Sequence, residues 1–379
     1  MDHTDGQPRT SAALAWFPLV CRPRPPAPPL QDRLRHLQEL LAQPGEDHSR
    51  LARAAEACNK GALIASDCGL PDLARTLCWR QHDVFDQARP LPAWAAKLAI
   101  QPVLNLPRQL IRDGDAEGAY AILDALHRGA RDRSDVVIDE RTVHLRDLVR
   151  TAEDHNAIRV LVWAALLADG TRALLRAGRW RQAAEHAAAH RGVGNRLFDG
   201  RQVTILALAH DGQPRRAAEM LEQSTPVEPW EQTVQTLLRV CCHRLAGADP
   251  SEHIEAMLAA VNSLLDESDP TTAVFRTRVG LVALDLNDHA DPHVPRLCAK
   301  LVATAESDAN AARDALAHPH LCQEMTADQH RALTRLTHTA GLASETIPDG
   351  AHASLMTTMS LAGDQLRVLL DHGFEHARH

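Results

Sequence analysis

The chain has 379 residues, 45% hydrophobic but only 3% aromatic, and a net charge of −8 with both signs interspersed. Apolar material drawn mainly from Ala, Leu and Val favours helices over strands, and the charge pattern excludes a wide basic field for nucleic acid. Eight cysteines without a CxxC pair exclude a disulfide framework or a zinc ribbon, leaving reduced, buried thiols in a cytoplasmic protein as the expectation.

Residues 1–29 end in "CRPRPPAPP", where consecutive prolines remove backbone donors, so they are read as a disordered Pro/Arg-rich arm. The apolar run "SAALAWFPLVC" within it is too short to span a bilayer and lacks a charged leader, so neither membrane association nor export is expected. "LQDRLRHLQELLAQ" then places Leu30, Leu34, Leu37 and Leu41 on one helical stripe. "PGEDHS" ends it.

From residue 51 the chain reads as helix pairs, each reversing at a glycine with an alanine five residues later. The pairs are Gly69 with Ala74, Gly114 with Ala119, Gly178 with Ala183 and Gly212 with Ala217. The glycine permits a positive φ at the reversal. The alanine, one turn into the second helix, lets the two backbones approach. Gly178 to Gly212 is 34 residues and Gly212 to Gly247 is 35. On these residues and intervals, residues 51–250 resemble tetratricopeptide repeats, whose 34-residue unit carries small residues at both places. The intervals from Gly69 to Gly114 (45) and from Gly114 to Gly178 (64) carry insertions, and Gly247 has Glu252 in the alanine position. The resemblance implies a divergent bacterial member with an all-α fold, a right-handed superhelical α-solenoid of such helix pairs.

Inside the longest interval, "DVVIDERTVHL" (135–145) concentrates β-branched residues around Asp139 and Glu140 and reads as a small β-hairpin insertion. Thr151 with Asp154 resembles a cap opening a long helix. Residues 30–250 are therefore taken as the repeat array. Residues 251–379 are taken as degenerate helical repeats forming a C-terminal cap, with "FEHARH" frayed at the end.

Several clusters invite chemistry, and each has a plainer reading. His186 and His190 share a helix face, as two zinc ligands would, but they also fit helix packing or solvated histidines. His318, His320 and Cys322 gather metal-capable atoms at a helix break without a second cluster at zinc-finger spacing. Cys58, Cys68, Cys78, Cys241 and Cys242 sit in apolar helical contexts. Glu153, Asp154 and His155 suit a helix start. No metal, cofactor or catalytic residue is expected from these, and enzyme activity is not indicated.

The tetratricopeptide resemblance instead implies a concave groove lined by the first helix of each pair. It turns one row inward at Asn59, Leu104, Ala168 and Gln202, and a second at Leu63, Arg108, Arg172 and Leu206, with Asp199 and Arg201 before the fourth first helix. Arg108 and Arg172 could fork a carboxylate or phosphate beside Asn59, Asn105 and Gln202; the plainer reading pairs them with Asp169. The expected function is a non-enzymatic scaffold holding a peptide or protein segment in that groove. Two alternatives stand beside it: a regulatory peptide sensor acting through a partner, and an accessory or tailoring factor in a specialised peptide biosynthetic pathway. Exposed end repeats leave both a monomer and an oligomer open.

Overall fold

The structure, a computed structural model, describes residues 6–288, 290–342 and 344–375. It is 72% helical with a single two-stranded hairpin among the described residues, so the all-α expectation with one small insertion holds. The first half of the chain contains α1 (Gly6–Leu14), α2 (Leu30–Ala42), α3 (Asp47–Asp67), α4 (Pro71–Gln87), α5 (Ala93–Asp113) and α6 (Ala116–Asp132). The hairpin β1 (Val136–Ile138) and β2 (Arg141–Val143) follows, then α7 (Ala152–Ala165), a π-helical turn (Leu166–Gly170) and α8 (Thr171–Arg176). Next come α9 (Trp180–Ala189), α10 (Asp199–His210), α11 (Pro214–Glu222), α12 (Pro229–Leu245), α13 (Ser251–Leu265) and α14 (Ala273–Asp285). The last helices are α15 (Val294–Ala305), α16 (Ala309–Leu316), α17 (Pro319–Glu324), α18 (Ala327–Thr339) and α19 (Asp349–Glu375). Residues 376–379 of the segment expected to fray lie outside the described residues.

These elements form two compact units, one built from residues 29–177 and 344–375, the other from 6–28 and 178–342. The division differs from the one expected at residue 250. It falls at the Gly178 turn, inside the helix pair that the sequence presents as the best-formed repeat. Each chain end also belongs to the unit formed mainly by the other half of the chain, which local periodicity does not encode.

In both units the helix pairs rest on the same local device. Gly69, Gly114, Gly178, Gly212 and Gly247 all have φ between +66° and +90°. The alanines five residues on, Ala74, Ala119, Ala183 and Ala217, are completely buried. At Gly212 the reversal is closed by backbone bonds from Gly212 N to the Ala209 carbonyl (3.2 Å) and from Gln213 N to the Leu208 carbonyl (2.9 Å). A left-handed φ there costs an L-residue about 1–2 kcal/mol.

In the unit of 29–177 and 344–375, the leucine stripe of α2 is buried as its spacing predicts. Helix α19 packs on α2, α3 and α4. Its Met359 fills the space where a Cβ on Gly61 would stand. The hairpin lays Val136, Ile138, Val143 and Leu145 into the core. Val136 and Leu145 cover Gly129 of α6. Its two-residue turn places both Asp139 and Glu140 at positive φ, 51° and 61°. Asp139 is held there by Arg75 Nη1 (2.6 Å) and Trp79 Nε1 (3.2 Å) of α4. Two buried histidines bond backbone in this region, one on the hairpin and one on α6. His82 bonds the Thr142 backbone, and His155 Nε2 donates to the Ala130 carbonyl (2.7 Å).

In the other unit, the proline-rich segment is docked rather than loose over its described length. Ala13, Leu14, Phe17 and Leu19 are buried in the core with α10, α12 and α14. Arg24 N donates to the Thr271 carbonyl (2.9 Å), and Ala27 N to Asp308 (2.9 Å), whose other oxygen caps α16.

Two outcomes follow from this packing. Gly212→Ala, with open space around the Cβ, should lose about 1 kcal/mol through backbone strain alone, read as a lowered midpoint in urea unfolding. Burial holds the pKa of both His82 and His155 below the usual histidine value of 6.5. Above that value both are neutral in either state. Below it the unfolded chain takes up protons that the folded chain refuses, so stability falls as pH drops from 6.5 towards the folded pKa. The slope is about 1.4 kcal/mol per pH unit per histidine. Urea midpoints recorded from neutral to acid pH should show this fall, reduced in His155→Gln.

Candidate functional site

In the unit of 29–177 and 344–375, the first helices of three successive pairs lie in series: α3, α5 and the run α7–π turn–α8. Two of the three are irregular where they matter. Helix α5 carries Pro102 and Pro107 in its interior, each removing a backbone donor and each buried. An interior proline costs roughly 3 kcal/mol in a helix that has no other reason for it. The π turn inserts one extra residue just before α8, an irregularity that occurs frequently at functional sites.

These irregular segments carry a continuous polar ladder. Asn105 Nδ2 donates to Asn59 Oδ1 (3.3 Å), and Arg108 Nη1 donates to Asn105 Oδ1 (3.2 Å). Arg108 Nε reaches Asp169 Oδ2 (2.7 Å), while Arg172 Nη1 takes Asp169 Oδ1 (2.8 Å). Asp169 is 7% exposed, whereas each arginine side chain is 42% exposed. One buried carboxylate thus holds two half-exposed guanidiniums from neighbouring helices. Each has donors beyond those that Asp169 engages, since a guanidinium carries five N–H groups.

Asn59, Lys60, Leu63, Asn105, Arg108 and Arg112 line a cleft of about 230 Å3 between α3 and α5. Leu63 is the exposed apolar wall. Arg112 closes one end by bonding Ser66 Oγ (2.9 Å) and Asp67 (2.8 Å), which also binds Arg33 (2.6 Å). Lys60 pairs with Glu56 (2.7 Å).

The structure therefore brings together Asn59, Asn105, Arg108 and Arg172, and assigns the other three expected groove residues to the other unit. Asp199, Arg201 and Gln202 belong to the other unit, where each has a structural partner. Gln202 is wholly buried; its carboxamide accepts from Leu19 N (2.8 Å) and donates to the Leu19 and Leu197 carbonyls (both 2.7 Å). Arg201 donates to Ser224 Oγ (2.7 Å) and to the Gly194 (2.9 Å) and Met220 (2.7 Å) carbonyls, and burial pulls its pKa down. Asp199 pairs with Arg22 (2.5 Å). The inward rows also shift. Leu104 and Leu206 are core residues. Asp169, in the π turn, bonds both Arg108 and Arg172, the pairing expected on the plainer reading of these residues.

A larger hollow of about 550 Å3 lies at the hairpin tip. Four of its charged groups pair with one another: Arg75 with Asp139 (2.6 Å), and Arg141 with Asp83 (3.0 Å) while lying over the Trp79 ring. These contacts fasten the hairpin to α4.

The clusters with a chemical alternative resolve to structural roles. His318 accepts the Leu321 N–H at the start of α17 and donates from Nε2 to buried Asp285 (3.0 Å). The rings of His186 and His190 pack 4.5 Å apart, with His186 buried. Thr151 caps α7 by accepting from Asp154 N (3.0 Å). Burial pushes Cys58 up to about 12 and Cys78 up to about 11, so both stay protonated thiols. All eight cysteines are free.

No family model matches the chain, and no curated protein or solved structure matches it either. No described helix is long and apolar enough to cross a membrane.

The partner-bound role of Gln202 has a direct consequence. Gln202→Ala leaves the Leu19 N–H and carbonyl without their buried partner, which should cost about 1–3 kcal/mol. Chymotrypsin should then cut after Leu19 markedly faster than in the unaltered chain, read by mass spectrometry of timed digests.

Proposed function

We propose that the protein is a non-enzymatic, tetratricopeptide-like helical scaffold of the bacterial cytoplasm. It holds an extended peptide or protein segment along the face formed by α3, α5 and the π turn with α8. The observation that supports this reading is the ladder from Asn59 to Arg172. Its amides and guanidiniums, held by the Asp169 carboxylate, can bind and orient a ligand. Asn59 and Asn105 are suited to the donor and acceptor groups of an extended ligand backbone, and Leu63 offers an apolar contact beside them. Arg108 and Arg172, kept in a fixed geometry by Asp169, suit a carboxylate of the bound segment, terminal or in a side chain. Preorganisation of this kind favours affinity, because long side chains held before binding lose less freedom on binding.

A random peptide library displayed on phage and selected on the purified chain should enrich carboxylate-bearing sequences. Fluorescence polarisation of a selected peptide should weaken by tenfold or more in Arg108→Ala/Arg172→Ala, about 1.4 kcal/mol per tenfold. The double variant Asn59→Ala/Asn105→Ala should weaken it by a smaller factor. Undiminished affinity in the arginine variant would remove the assignment.

A further inference from the structure

The base of the hairpin carries a second constellation, remote in character from the ladder and composed of metal-capable atoms. The ladder register pairs Val136 with Val143, so the next cross-strand pair outward is Asp135 with His144. Since Val136 and Val143 point into the core, the alternation of a strand turns Asp135 and His144 to the opposite, accessible face. Asp147, in the turn that follows, adds a third group. Among the described residues these form the one set of three His, Cys, Asp or Glu side chains whose ligand atoms all lie within 4.8 Å of one another.

Three further features distinguish this set from a chance meeting of surface charges. The first is spacing. His144 Nδ1 and Asp135 Oδ2 are 3.3 Å apart, long for a charge-assisted hydrogen bond. That distance is about the edge of a tetrahedron whose centre is 2.0–2.1 Å from each corner, as around zinc. The second is outer support, which fixes ligands in metal sites. Asp135 Oδ1 accepts from Arg146 N (3.2 Å), leaving Oδ2 on the His144 side, and Asp147 Oδ1 accepts from Arg89 Nη1 (2.5 Å). The third is a rigid backbone. Leu91 N donates to the Leu148 carbonyl (2.8 Å), next to Asp147, and Leu91 and Val149 form an isolated parallel bridge.

We propose that Asp135, His144 and Asp147 form a surface site for a single divalent transition-metal ion, Zn2+, that ties the open end of the hairpin to the turn before α7. One imidazole nitrogen and two carboxylate oxygens suit zinc, with water as the fourth ligand, better than they suit calcium or magnesium, which take oxygen ligands. The ion has structural work to do there. A hairpin with three residues per strand is marginal on its own, and its open end is where the ladder stops. This site departs from the expectation that the chain takes no metal. The sequence hides it because Asp135 and His144 are nine residues apart and meet only through strand register.

The test uses the full chain, stripped with a chelator and titrated with Zn2+ by calorimetry. One equivalent should bind in the micromolar range. His144→Ala should abolish that uptake, and Asp135→Asn or Asp147→Asn should weaken it at least tenfold, with circular dichroism showing an unchanged helical fold. His293→Ala removes an exposed histidine that also touches an aspartate (Asp291, 2.8 Å) and should leave uptake intact. If His144→Ala fails to fold, the two asparagine variants decide. Absence of stoichiometric uptake, or uptake that persists unchanged in the hairpin variants, overturns the site.

Discussion

A helix that ends on a left-handed residue can reverse within two or three residues, and five such reversals set the course of this chain. At Gly69, Gly212 and Gly247 the positive φ of the glycine lets the backbone turn back while the last carbonyls of the helix are still bonded. Four of the five are followed by an alanine with no exposed surface. At Gly69, Gly114 and Gly212 turn and contact are one constraint: a tight reversal brings two helices together near their ends, where a small side chain is buried. The order of the helices, and hence which of them present a shared face, depends on that constraint being met repeatedly.

Where apolar contacts alone do not fix a segment, single polar groups act as hubs. Glu231 is fully buried, yet it accepts from Arg196 and from the backbone N–H groups of Leu197, Val227 and Glu228. These donors hold its pKa below the usual carboxylate range despite the opposing effect of burial. It thereby ties the loop before α10 to the loop before α12. Gln202 does the same for the segment around Leu19, and Asp308 for Ala27. A buried polar group is costly unless its partners are present, so each hub makes the position of its loop close to all-or-none.

What could be read from the residues alone follows the range of the interactions. The turn glycines, the buried alanines, the α2 stripe, the hairpin and the Thr151 cap are local, set by neighbours within about a turn or a strand pair, and they were legible. So was the meeting of Asn59, Asn105 and Arg108, because the turn glycines give α3 and α5 a common register. Gln202 sits at an equivalent helical position, but its partner Leu19 lies far away in sequence, and no periodicity announces a segment docked through its backbone. The π turn was equally hidden. "LLADG" is an ordinary helical sequence, and its π geometry is decided by packing, although the pairing of Asp169 with the two arginines was legible. The placement of α19 against α3, through Gly61 and Met359, is likewise a long-range fit.

The distribution of cost within the fold bears on what the polar ladder is for. Two interior prolines and a π turn are concentrated on the helices that form it, and a carboxylate is buried at its centre. Comparable helices elsewhere in the same unit, such as α4 and α6, run without interior prolines. A buried ion pair is seldom a net gain in stability over well-packed apolar groups. Irregular backbone and buried charge are therefore poor ways to strengthen a scaffold, yet both are effective ways to aim side chains. Their coincidence on one exposed face supports reading Arg108 and Arg172 as groups held ready for something outside the chain, with Asp169 as the residue that keeps them in place.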